Sequence, residues 1–251
     1  MEILGLDVGG SGIKGAIVDI TTGELRSERY RLPTPSSATP DAMAETVKAI
    51  VNHFHWTKPV GCCFPTVVKK GRCYTFGNLD PSWVGVQVDE LLSRTCNTTF
   101  HVGNDADLAG IAEMQMGAGR GKQGKVVMVT IGTGIGTGFF NNGDLVPNIE
   151  LGRIFHTDGR PIEFYAADSA RKKENLSLKE WAKRFDFFLH HVNRIFSPDH
   201  LIIGGGLSKK FDKFHPRLTV EIPMEVAEFK NNAGIIGAAL YANNKTPHAS
   251  Q

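Results

Sequence analysis

Three short segments of this chain bunch glycine at the end of an apolar run: Asp7-Val8-Gly9-Gly10-Ser11-Gly12, Thr130-Ile131-Gly132-Thr133-Gly134, and Gly204-Gly205-Gly206. Glycine turns at strand ends expose backbone N–H groups with no side chain in the way, and a ring of such donors binds phosphate oxygens. One such turn is equally well explained as a tight hairpin. Three, each at a strand end, point to a polyanionic ligand. A fourth segment, Asn104-Asp105, follows an apolar run and precedes a helical pattern. A carboxylate there can accept the proton of a hydroxyl that attacks phosphorus. The competing explanation is that Asp105 or Asp107 caps the helix, and the pattern favours the cap for Asp107.

Other residues have chemistry open to two readings. Glu150, in Glu150-Leu151-Gly152, is either an acceptor for sugar hydroxyls or a solvated loop acid. Asn78-Leu79-Asp80 followed by Trp83 sets amide and aromatic groups close together, which suits a sugar; core packing explains Trp83 as well. Basic clusters recur at Lys69-Lys70-Arg72, Arg120-Lys122-Lys125, Arg171-Lys172-Lys173 and Lys209-Lys210-Lys213. Each reads by default as a solvated face, although a long phosphate polymer needs such patches. Arg120 and Lys122 are the best polyphosphate candidates, because they sit in a glycine-rich loop before the second glycine turn. His156, His190 and His191 show no metal-ligand spacing. Gly119 to Lys125 fits GxxxxGK, but Val126 stands where a Ser/Thr should hold magnesium and a strand follows, so a Walker A loop is excluded. No GxGxxG opens a helix after the first apolar run, which argues against a dinucleotide fold.

These residues have to be held by elements the pattern also predicts. Strands are expected over 3–7, 13–20 and 25–32 as an antiparallel meander. A helix then starts at Thr39 as N-cap and Pro40, with Met43, Val47, Ile50, Val51 and Phe54 on its apolar face. Further strands are expected at 60–64, 99–102, 126–131, 136–140 and 201–203, with hairpins over 67–76 and at Asn142-Gly143. Helices are expected over 88–94, 107–116 and 232–241. Ser177-Leu178-Lys179-Glu180 is a capping box opening a helix that turns Trp181, Phe185, Phe188, Leu189, Val192 and Ile195 inward. The stretch 147–173 is irregular. Strand, glycine turn and strand occur twice, at Asp7 and at Thr130, which implies two similar lobes facing one cleft. The class is α/β with mixed sheets.

Composition narrows the partners. The 251 residues are 41% apolar and 22% charged with a net charge of +2, ordinary for a globular protein and no sign of nucleic-acid binding. No signal peptide or membrane span is read from the pattern, so a cytoplasmic, membrane-free protein is expected. Four cysteines, Cys62, Cys63, Cys73 and Cys96, form no CxxC pair.

Taken together, these segments resemble the ROK family of sugar kinases, and within it the polyphosphate glucokinases. Asp7-Val8-Gly9-Gly10-Ser11-Gly12-Ile13-Lys14-Gly15, Asn104-Asp105-Ala106-Asp107, Thr130 to Gly136, Pro147-Asn148-Ile149-Glu150-Leu151-Gly152 and Gly204-Gly205-Gly206-Leu207-Ser208 carry the likeness. The subgroup is suggested by Asn78-Leu79-Asp80-Pro81-Ser82-Trp83-Val84-Gly85 and by Gly117-Ala118-Gly119-Arg120-Gly121. The resemblance implies an actin-like, hexokinase-type fold with two lobes, mixed sheets and a central cleft. It implies a small lobe of 1–104 plus 235–251 and a large lobe of 105–234. Asp105 becomes the general base. Donor phosphates fall to Asp7, Gly9, Gly10, Ser11, Gly12 and Lys14, to Thr130, Gly132, Thr133 and Gly134, and to Gly204, Gly205 and Gly206. Asn78, Asn104, Asp105, Glu150 and Arg153 fall to the sugar. The expected reaction is phosphoryl transfer from inorganic polyphosphate, or from ATP, to the 6-hydroxyl of glucose, with magnesium on the donor and a homodimer as the assembly. The alternative is an ATP-dependent kinase of the same family for glucose or another hexose. Zinc is not expected, because no cysteine follows Cys96. Two departures stand out: Arg153 replaces a family histidine and offers no acceptor, and Thr66, where glycine is common, is expected to narrow the sugar pocket.

Overall fold

The computed structural model of the chain describes residues 1–246. In chain order the strands and helices begin with β1 (Glu2–Gly9), β2 (Gly12–Asp19), β3 (Tyr30–Leu32), α1 (Pro40–His53), β4 (Val60–Phe64), β5 (Val68–Lys69) and β6 (Arg72–Cys73). Then come α2 (Val88–Cys96), β7 (Phe100–Asn104), α3 (Asp105–Met116), β8 (Lys125–Ile131), β9 (Ile135–Asn141) and β10 (Asp144–Val146). The chain continues through α4 (Glu163–Ala166), α5 (Asp168–Lys173), α6 (Leu178–Phe196), β11 (His200–Gly204), α7 (Phe211–Phe214), β12 (Met224–Val226) and α8 (Ala233–Lys245).

The chain forms two compact units, Met1–Ala112 together with the chain from Asn232 on, and Glu113–Asn231. The expected division, 1–104 plus 235–251 against 105–234, differs from this by eight residues at the first crossing and three at the second, and its residues 247–251 lie outside the described residues. Each unit is built on a five-stranded sheet, ordered β3-β2-β1-β4-β7 in the first and β10-β9-β8-β11-β12 in the second. In both, three antiparallel strands are followed by two parallel ones. The repeated strand–glycine turn–strand pattern is therefore a repeat of topology. No helix among the described residues is long and apolar enough to cross a membrane.

In the first unit α1 and α2 cover one core of the sheet, with Met43, Val47, Ile50 and Leu92 buried among Leu4, Leu6, Ile13 and Val60. Helix α8 packs on β1, β4 and β7. It is buried nearly all round, as a helix of small apolar residues can be. Its closeness depends on glycine: a Cβ on Gly5 would strike the Ile235 carbonyl, and one on Gly61 the Ala238 carbonyl. Within α8 itself, a Cβ on Gly237 would strike the Leu108 carbonyl of α3. In the second unit the capping box forms as expected. Ser177 Oγ accepts from Glu180 N, and the Glu180 carboxylate accepts from Ser177 N at 2.9 Å. The helix it opens lays Trp181, Phe185, Phe188, Leu189 and Val192 against β8, β9 and β11.

Two expected elements are corrected. Residues 25–32 do not form one strand: only Tyr30–Leu32 pairs along β2, plus a single bridge from Leu25 to Val18. Between them Ser27 Oγ takes the Ile17 N–H at 2.9 Å, so a side chain replaces the ladder's carbonyl. Ile195 is not inward but 55% exposed. Phe196 ends the apolar stripe instead, its ring centroid 5.3 Å from that of Phe139.

Candidate active site

In the first unit β1, β4 and β7 run parallel, with Asp7 opposite Cys63, Cys63 opposite Gly103 and Phe64 opposite Asn104. Asp7 and Asn104-Asp105 therefore leave the sheet at the same edge, the carboxyl end of its parallel strands, where open α/β sheets bind ligands. Cys63 lies between them. Burial, and after it the charges of Asp7 and Asp105, push its thiol well above the ordinary range.

Helix α3 starts at Asp105, two residues before the expected Asp107. The cap is Asn104, not Asp107: its Oδ1 accepts from Ala106 N at 2.9 Å and from Asp107 N at 3.1 Å. Its Nδ2 donates to Thr66 O at 3.2 Å, so the residue expected to face the sugar ties α3 to the segment after β4. Asp105 is exposed, and its Oδ1 accepts from Ala106 N at 2.8 Å. Asp107 is only 2% exposed, so of the two acids Asp105 is the one open to a ligand. The Thr66 side chain is buried, with its hydroxyl toward Cys73 Sγ. Trp83 belongs to the core, donating Nε1–H to Ala38 O at 2.8 Å beside Phe64.

The first glycine turn is a two-residue connection, since Gly9 pairs with Gly12. Gly9, Gly10 and Gly12 all lack positive φ, and of the three only Gly12 would bring an added Cβ into collision, with the Arg31 guanidinium. Thr34 Oγ1 donates to Gly9 O, Arg31 Nη2 to Ser11 O at 2.7 Å, and Lys14 Nζ lies 2.9 Å from Asp7 Oδ2. Asn78 borders Gly10.

In the second unit Thr130 stands opposite Gly204 on parallel β8 and β11. The Gly132–Gly134 and Gly204–Gly206 turns thus share one edge. Gly205 takes φ 78° and ψ 179°, and a Cβ on it would collide with the backbone of Ile131, just before the other turn. Gly132 N donates to Gly134 O, while Ser169 clamps the turn through N–H to Gly132 O and Oγ to Thr133 O. The Glu163 carboxylate accepts from Ile135 N at 3.1 Å and leaves no room for a side chain on Gly134. Glu163 and Ser169 escaped the sequence reading because they fall in the irregular stretch. Thr137 escaped it too: buried on β9, it accepts from Leu151 N and donates to Ile149 O, anchoring the chain on both sides of Glu150. Arg153 Nε lies 3.9 Å from Glu150 Oε2.

Of the two polyphosphate candidates, Arg120 is exposed, whereas Lys122 is ion-paired with Glu225 at 2.5 Å. Their loop is held by Glu113, fully buried, whose carboxylate accepts from Ala118 N, Glu228 N and Phe229 N at 2.9–3.1 Å. Glu113→Gln turns an amide N–H₂ toward backbone donors and removes the charge assistance. The expected cost is about 1.5 kcal/mol, read as a fall of about 3–6 °C in melting temperature for a chain of this size.

The model of the ROK family matches residues 3–150. The polyphosphate glucokinase of Mycobacterium leprae (strain TN) is 42% identical over 245 residues, 97% of this chain and 75% of that protein. That of Mycobacterium tuberculosis (strain ATCC 25618 / H37Rv) is 42% identical over 97% of this chain and 92% of its own length. Among solved structures, the inorganic polyphosphate/ATP-glucomannokinase of Arthrobacter sp. strain KM superimposes with TM-score 0.93 at 40% identity, covering 98% of this chain and 99% of that one. A Streptomyces griseus glucokinase, solved with glucose and AMPPNP, shares the fold at TM-score 0.82 and 21% identity, over 97% of this chain and all of that one.

Proposed function

The chain belongs to the ROK family, and from that premise we propose that it is a polyphosphate glucokinase of the actin-like, hexokinase-type fold. It transfers a phosphoryl group from inorganic polyphosphate, and also from ATP, to the 6-hydroxyl of glucose. The observation that carries this reading is 42% identity over 97% of the chain to mycobacterial polyphosphate glucokinases. The name of the Arthrobacter relative supports ATP as a second donor and mannose as a second acceptor.

Phosphoryl transfer asks a protein mainly for positioning and charge stabilisation. Asp105 takes the proton of the glucose 6-hydroxyl as that oxygen bonds to the terminal phosphorus and the bond from that phosphorus to the donor's bridging oxygen breaks, releasing the shortened polyphosphate or ADP. The exposed position of Asp105 at the end of β7 supports this role. Asn104 fixes where Asp105 stands, by capping α3 and holding Thr66 O. Backbone amides of the three glycine turns, with Lys14, take the donor's oxygens. Ser169 and Glu163 keep the Gly132–Gly134 turn in shape for it. Asn78, Glu150 and Arg153 are assigned to the sugar, and Arg120 to the polymer. Magnesium travels with the donor. The ion keeps several waters and binds mainly through the donor's phosphate oxygens; no group of three or more acid, histidine or cysteine side chains that could hold a metal occurs among the described residues. Bound to those oxygens, it would offset negative charge on the donor. A homodimer and a cytoplasmic setting complete the reading.

Purified protein given glucose, magnesium and polyphosphate should form glucose 6-phosphate, with a second, separately measured rate on ATP. Absence of product from both donors, on glucose and on mannose, would sink the proposal.

A further inference from the structure

Asp7, Lys14 and Arg31 are successive cross-strand partners on β1, β2 and β3, and so project from one face in a single row. Lys14 is balanced by Asp7 at 2.9 Å. Arg31 adds a second cation to the row, and no carboxylate among the described residues pairs with it. Like charges set directly opposite each other repel, so the row holds one positive charge more than its own acid can offset.

Arg31 is also aimed. Its Nη2 donates to Ser11 O at 2.7 Å, which brings the guanidinium onto the first glycine turn. It can reach there because residue 12 has no side chain: a Cβ on Gly12 would run into the guanidinium. Gly12 has no positive φ, so the passage of Arg31 is the reason the structure offers for glycine at this position. Thr34 Oγ1 donates to Gly9 O, which helps fix the turn that Arg31 leans on. The bond to Ser11 O uses one of five guanidinium N–H donors, and the fork geometry of the rest matches two phosphate oxygens.

We propose that Arg31 is a donor-phosphate contact, holding with Lys14 an oxyanion of the polyphosphate chain beside the Gly10-Ser11 turn. The inference rests on the kinase reading above and adds to it a residue outside the glycine motifs.

Arg31→Ala should raise KM for polyphosphate about tenfold, the effect of one lost charge-assisted hydrogen bond, with a much smaller change in kcat. It should also flatten the dependence of that KM on salt, because one fewer cation competes with counter-ions. Arg31→Lys should recover part of the affinity, keeping the charge but not the fork. Lys58→Ala, a cation standing over Trp56, is the control and should leave KM unchanged. An equal rise in KM for ATP supports a contact common to both donors, and a rise for polyphosphate alone supports one along the polymer. If only inhibition by glucose 6-phosphate changes, the oxyanion is the product's and the donor assignment fails. An Arg31→Ala enzyme that turns over glucose with unaltered KM and salt slope overturns the proposal while leaving the kinase reading intact. A wild-type protein without activity on either donor removes the kinase reading itself. Melting curves of both variants report folding, which an exposed residue on an edge strand should not disturb.

Discussion

Asp105→Asn is expected to lower kcat for glucose phosphorylation by about a hundredfold or more, the lower end of what a general base contributes. KM for glucose and for the donor should change little. The substitution is well controlled by the local structure. An Asn at this position keeps an oxygen for the Ala106 N–H, which Asp105 Oδ1 accepts at 2.8 Å. The start of α3 is set mainly by Asn104, whose side chain takes the N–H groups of Ala106 and Asp107. The helix should therefore keep its first turn, and the melting temperature should move by no more than a few degrees. What the amide cannot do is take a proton. A variant that folds like wild type and retains more than a tenth of its kcat would remove Asp105 from the chemistry.

Gly205→Ala should cost on the order of 2–5 kcal/mol and weaken donor binding. Its backbone, at φ 78° and ψ 179°, occupies a region used almost only by glycine. An added methyl must also displace the backbone of Ile131, which is locked in β8. Conformational strain and overpacking each cost about 1–3 kcal/mol. For a chain of this size the melting temperature should fall by about 4–20 °C. Because Ile131 immediately precedes the Gly132–Gly134 turn, the damage should extend to that turn and raise KM for the donor more than KM for glucose. A Gly205→Ala protein with wild-type melting and donor KM would show that the two turns are not coupled through this contact.

Most strands and helices could be read from the chain because their signals are local. Alternating apolar residues, the Asn142-Gly143 turn with φ of 51° and 88°, and the Ser177–Glu180 capping box are each settled within a few residues. The repeat of strand, glycine turn and strand held at the level of topology, since a hairpin and the crossovers after it follow the same rules in both units. The boundaries that failed did so through long-range competition. Ser27 replaced a ladder carbonyl opposite Ile17, and Phe196 took the place expected for Ile195.

Residue types at strand ends, and so the expectation of phosphate chemistry with Asp105 as its base, came from the sequence itself. Only the tertiary structure decided which polar side chains hold those ends in place. Asn104 was needed as a cap and a tether to Thr66, Glu163 and Ser169 as clamps on a turn about 30 residues away, and Glu113 as a buried acceptor for donors more than 100 residues on. Such partners leave no periodic trace. A hydrogen bond between distant segments depends on how sheets and helices pack, and that packing follows from summed apolar burial and from the glycines that let backbones touch.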